Sequence, residues 1–100
     1  MSILFEPFDL GQLHIKNRYA VCPMGTIHGA DGGVDEAQKA YIVERAKGGF
    51  GIVYPSAHTV TMKYELPEFS GNYLCTDSHQ AALKDLADEV HKYGALFAVQ

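Results

Sequence analysis

One hundred residues, 47% of them hydrophobic and 20% charged, have the composition of a folded globular domain rather than of a disordered segment or a membrane span. Eight basic residues against 12 acidic ones give a net charge of −4, with no clustering of Lys or Arg, which argues against nucleic acid or an anionic membrane as partner. The opening MSILFEPFDLG has no basic n-region and no apolar run longer than three residues, so neither a signal peptide nor a spanning helix is expected, and a cytoplasmic location is.

In chain order, residues 8–17 (FDLGQLHIKN) alternate Leu13 and Ile15 with His14 and Lys16 after a turn at Gly11, which predicts a short hairpin or edge element as a lead-in. Residues 18–23 (RYAVCP) predict a short apolar strand, in which Cys22 reads as a small buried hydrophobe. Cys22 and Cys75 lie far apart, with no CxxC spacing, so they predict no metal site. After the Gly-rich HGADGG, the segment DEAQKAYIVERAKGG predicts a helix capped by Asp35, with Gln38 three residues on, and stopped at Gly48.

The next segment, FGIVYPS, is Gly-led and β-branched, as a strand buried on both faces tends to be. A second helix follows in DSHQAALKDLADEVHKYG. Its Leu83, Leu86, Ala87 and Val90 fall on one face and Lys84, Asp85, Asp88, Glu89 and Lys92 on the other. Asp77 and Gln80 repeat the capping pattern, Gly94 ends the helix, and ALFAVQ begins a third strand. The order βαβαβ predicts a parallel sheet with right-handed crossovers. The GGFG at 48–51 leads from a helix into a strand, whereas a dinucleotide loop leads from a strand into a helix, so its glycines are read as turning and packing devices.

Ligands of parallel α/β folds sit beyond the carboxyl ends of the strands. Residues 23–26, 56–59 and Gln100 reach that edge. A flat, polar heterocycle across the sheet mouth needs backbone amides without intervening side chains, which Met24, Gly25 and Thr26 supply after the bend fixed by Pro23. Ala57 repeats the device on the second strand, and the Gln100 carboxamide matches the adjacent N–H and C=O of a pyrimidine-like edge. Packing alone accounts equally for small residues at strand ends, and simple exposure for a terminal Gln.

The sequence resembles the old yellow enzyme family of FMN-dependent oxidoreductases. LFEPFDLGQLHIKNR is similar to the family opening "LF.P..IG...LKNR", VCPMG to its "APM" strand end, ERAKGGFGIV to its "ERA.GG.GLI", and ADEVHKYGALFAVQ to the lead into its "QL.H.GR" strand. Within the family the likeness is to the large branch of 2-enoate and 2,4-dienoyl-CoA reductases, bile-acid enoate oxidoreductases and trimethylamine dehydrogenase. The resemblance implies an α/β fold: the first three strands of a (β/α)8 TIM barrel with a hairpin-like lead-in, residues 1–100 being an incomplete N-terminal part with no second domain. A sheet ending on ALFAVQ would also expose an apolar edge, as a fragment does.

The resemblance further implies that Pro23, Met24 and Gly25 lay their backbone against FMN, that Ala57 contacts it, and that Gln100 holds its pyrimidine edge. Many members carry Thr or Cys at the place of Gly25, where the side chain tunes the flavin potential; here that tuning is absent or passes to Thr26. Trimethylamine dehydrogenases attach their flavin to a cysteine two residues after the matching proline. That place is also Gly25, with Cys22 on the other side of Pro23, so covalent flavin is not expected.

The implied chemistry is hydride transfer from NAD(P)H through flavin to an activated C=C bond of a small-molecule substrate. The family's proton donor, substrate-holding pair and flavin phosphate ligands, and a 4Fe-4S cluster and FAD where present, would lie past residue 100, so no catalytic or metal-binding residue is expected within this chain. Tyr54, Tyr64 and Tyr73 read as packing residues, His28 and His58 as loop histidines near the functional edge, and His91 as a cation near a helix C-terminus. The connection 59–76, with Met62, Tyr64, Leu66 and Phe69, is long for a βα loop and reads as a lid, substrate wall or subunit contact. The alternatives are an amine-dehydrogenase-like flavoprotein of the same family, a flavodoxin-like βαβαβ binding module without chemistry, and a half-barrel that associates with itself as a homo-oligomer.

Overall fold

A computed structural model describes residues 2–25, 31–61 and 71–100. A single 3-10 turn over Ile3–Phe5 precedes a hairpin of β1 (Phe8–Leu10) and β2 (Leu13–Ile15), paired antiparallel with Asp9 opposite His14. The reversal needs a left-handed residue, and Gly11 supplies it at φ 61°. Ile15 is the hairpin's anchor, 1% exposed, while Leu10 and Leu13 remain open. Lys16 Nζ donates to the carbonyl of Tyr93 at 2.8 Å, and Asn17 Nδ2 to that of Gly49 at 2.7 Å. These bonds seat the predicted lead-in against the amino-terminal end of the sheet.

The sheet has the predicted parallel order, β3 (Ala20–Val21), β4 (Ile52–Val53) and β7 (Leu96–Phe97), with β4 in the centre. Its register aligns Val21, Val53 and Phe97 on one face and Ala20, Ile52 and Leu96 on the other. Helices α1 (Glu36–Lys47) and α2 (Asp77–His91) cover the first face. Ile42, Ala46, Val53, Leu86, Val90 and Ala95 form the buried cluster, with Val21 and Phe97 packed against it. The opposite face has no helix against it among the described residues. Cys22 follows Val21 onto that open side, so it is exposed and does not serve as the buried hydrophobe expected from its apolar surroundings.

Both helices start on hydrogen-bonded caps. Asp35 accepts from the Gln38 N–H at 2.8 Å, as the sequence predicts. At α2 the cap is Thr76, whose extended backbone (φ −133°, ψ 162°) lets its hydroxyl accept from the His79 N–H at 3.1 Å. Asp77, expected as the cap, is instead the first helical residue, where its carboxylate still meets the positive end of the helix dipole. Gly48 ends α1 in helical geometry, and the left-handed step comes one residue later, at Gly49 with φ 103°. Gly94, at φ 74°, turns the chain after α2. Gly51 is required by close approach, since a Cβ there would meet Asn17 Oδ1 at 2.7 Å and Ile15 Cγ2 at 2.9 Å. The GGFG segment is thus a turning and packing device.

Past the sheet lie β5 (His58–Thr59) and β6 (Asn72–Tyr73), a parallel pair that the sequence reading leaves inside the long 59–76 connection. Met62, Tyr64, Leu66 and Phe69 of that connection lie outside the described residues. Among the described residues, no helix is long and apolar enough to cross a membrane.

Candidate functional site

The carboxyl ends of β3, β4 and β7 share one edge because the strands are parallel and bonded in sequence. The Tyr54 N–H donates to the Val21 carbonyl at 3.1 Å, and the Ala98 N–H to the Val53 carbonyl at 3.1 Å. Beyond them the His58 N–H donates to the carbonyl of Gln100 at 2.8 Å, bringing Ala57 and Gln100 side by side. Pro23 and Ala57 are half-buried, whereas Met24, Gly25 and Gln100 are exposed. The structure therefore brings the five candidate residues to one sheet edge. Thr26 and His28 lie outside the described residues.

None of these five side chains carries a charge, and two are small or absent, so the edge presents backbone, the exposed Met24 side chain and one carboxamide. That donor set fits the flat, hydrogen-bonding ring system of a flavin. It offers nothing for a phosphate, which would need cationic groups or free helix N-termini. Concavities found elsewhere have other causes. One of about 470 Å³, lined by Phe5, Asn17, Tyr19, Gly48, Gly49 and Phe50, lies at the amino ends of the strands. There Tyr19 packs between Phe5 and Phe50 at centroid distances of 5.4 and 6.3 Å.

His58, read from sequence as a loop histidine, is part of β5 and half-buried. Its Nδ1 lies 2.9 Å from the Ser56 carbonyl. Burial holds the imidazole below its ordinary value of 6.5, against the opposing effect of that hydrogen bond, and charge on His79 acts in the same direction as burial. Tyr73 is buried in a packing role, as expected.

Beneath Ala57 lies a polar network that the sequence reading missed. Gln38, Ser56 and Asn72 are 3%, 0% and 0% exposed. Gln38 Nε2 donates to Asn72 Oδ1 at 2.7 Å and to Ser56 Oγ at 3.1 Å, and Asn72 Nδ2 donates back to Gln38 Oε1 at 2.9 Å. The Ser56 hydroxyl closes the triangle on Asn72 Oδ1. These bonds tie α1, the end of β4 and β6 together directly behind the strand-two wall. The signal was present, since Gln38, Ile42 and Ala46 are spaced by four and share the buried face of α1. A Gln at such a spacing announces a buried amide with partners as much as a capping box.

With the geometry in place, similarity to known proteins fixes the class. The sequence profile of the NADH:flavin oxidoreductase / NADH oxidase family matches residues 3–100. The chain belongs to that family. It is 32% identical to a cinnamate reductase of Clostridium sporogenes over 99% of this chain and 16% of the relative. It is also 32% identical to an N,N-dimethylglycine/sarcosine dehydrogenase of Chromohalobacter salexigens over 97% of this chain and 14% of the relative. The Old Yellow Enzyme from Pichia sp. AKU4542 superimposes with a TM-score of 0.84 at 26% identity, over 98% of this chain and 25% of that structure. The chain thus spans about one sixth of the curated relatives it matches here.

Proposed function

We propose that the polypeptide carrying this chain is an FMN-dependent oxidoreductase of the cytoplasm that moves hydride from NAD(P)H to an activated C=C bond, and that this chain forms one wall of its flavin site. The observation that carries the reading is the uncharged edge of Pro23, Met24, Gly25, Ala57 and Gln100, whose second and third strand ends are joined by the bond between the His58 N–H and the Gln100 carbonyl. When bound, FMN accepts two electrons and a proton from one partner and delivers them to another. The chain's own part is binding and orientation. Pro23–Gly25 lays backbone along the ring, Ala57 leaves room for it, and the Gln100 carboxamide donates to and accepts from the pyrimidine edge. The likeness to a cinnamate reductase supports an alkene as acceptor. The likeness to an N,N-dimethylglycine/sarcosine dehydrogenase supports a second reading, in which an amine is oxidised at the same flavin face.

The full-length protein is expected to purify yellow and to bleach on addition of NADH or NADPH. A colourless protein that takes up no added FMN overturns the reading. In the full-length protein Gln100→Leu is expected to weaken FMN binding about tenfold, the scale of one lost hydrogen-bonded contact. Undiminished affinity removes Gln100 from the site.

A further inference from the structure

Cys75 and His79 form a pair that the flavin reading does not use. Cys75 is exposed in the link between β6 and α2, immediately before the cap Thr76. In the first turn of α2, His79 is 3% exposed. Its Nε2 lies 2.6 Å from the main-chain carbonyl oxygen of Asp31. A carbonyl only accepts, so Nε2 carries the ring proton and Nδ1 presents its lone pair in the opposite direction. Cys75 lies there, with its N–H 3.3 Å and its Sγ 3.8 Å from Nδ1. Cys75 also lines a concavity of about 400 Å³ with Leu74, Thr76, Asp77, Gln80 and Leu83. A nucleophile, a base within reach and a third group that orients the base are the parts of an activated thiol. Cys22 is also exposed, but among the described residues no hydrogen bond joins it to a histidine.

We propose that Cys75 is a reactive thiol that adds to electron-poor, carbonyl-conjugated alkenes entering this concavity, with His79 as its base. His79 Nδ1 takes the thiol proton, and the Cys75 N–H contact to that lone pair is given up. The sulfur lone pair forms a bond to the β-carbon while the π pair moves through the α-carbon onto the carbonyl oxygen. The imidazolium then returns its proton to the α-carbon, leaving a thioether and the original base. No oxidant or reductant is consumed. An electron-poor alkene is favoured over an oxidant or a disulfide as reaction partner because its addition needs only a proton acceptor that becomes a proton donor, and His79 is both. Since no hydride moves, the adduct forms whether or not flavin is bound, so the two readings fail separately.

The test treats the full-length protein with substoichiometric N-ethylmaleimide, a compact electron-poor alkene, and quantifies labelled peptides by mass spectrometry. Under native conditions Cys75 is expected to label about ten times faster, or more, than the same cysteine does in guanidinium. A native rate no faster than the denatured one overturns the proposal. The variant His79→Gln keeps a donor for the Asp31 carbonyl and an acceptor for the Cys75 N–H but is not a base. It is expected to slow Cys75 labelling by roughly a hundredfold, the low end of what a positioned base contributes, with Cys22 unchanged. A folded variant that labels at the parent rate overturns the role of His79, and should it not fold, the native-to-denatured ratio of the parent protein decides alone.

Discussion

His58 shows how one residue couples the sheet edge to solution conditions. Its imidazole is held below 6.5 chiefly by burial, so the folded chain takes up a proton there less readily than the unfolded chain does. The stability this contributes is fully present above about 6.5 and is lost as pH falls through that value toward the folded-state one. The thermal midpoint is therefore expected to drop between about pH 7 and pH 5, and to drop less in His58→Gln. A variant with the same pH dependence as its parent assigns the effect to other groups. That residues 23–25, 57 and 100 reach the carboxyl edge of the sheet was legible at this scale because strand ends are local features. The exposure of Cys22 was not, because which face of the sheet it takes depends on where the two helices pack.

At the scale of elements, caps and spacing account for most of what could be read and for what was misread. Asp35 was legible as a cap because it is the polar residue immediately before the periodic segment. Thr76 and Asp77 are both good cap formers, and only backbone geometry decides between neighbours of that kind. Thr76→Ala is expected to cost about 1 kcal/mol, and Asp77→Ala distinctly less. Denaturant midpoints that rank the two the other way would restore Asp77 as the cap. The pairing of β5 with β6 gave no warning, since two-residue strands are too short for periodicity. The amide network of Gln38, Ser56 and Asn72 was half legible. The helix spacing puts Gln38 on the core face, but its partners come from 18 and 34 positions away.

At the scale of the whole molecule, the sheet is covered on one face by α1 and α2, while Ala20 is exposed and Ile52 and Leu96 are half-buried on the other. Parallel sheets are stable with both faces covered. Residues 1–100 are therefore expected to bind a hydrophobic dye and to self-associate. A monodisperse, dye-silent monomer of the 100 residues would show that this face is stable in water. The order βαβαβ was legible because glycines, caps and apolar spacing punctuate it. How the strand ends are fastened across the edge was not, because main-chain hydrogen bonds leave no mark on the sequence.

That fastening separates frame from recognition. The joint between the two strand ends runs from the His58 N–H to the Gln100 carbonyl, main chain to main chain. Side chains at 57 and 100 can be exchanged without unmaking it, provided the backbone keeps its course. A lineage built on this frame can retune what the edge holds by single substitutions, each tried against an unchanged backbone.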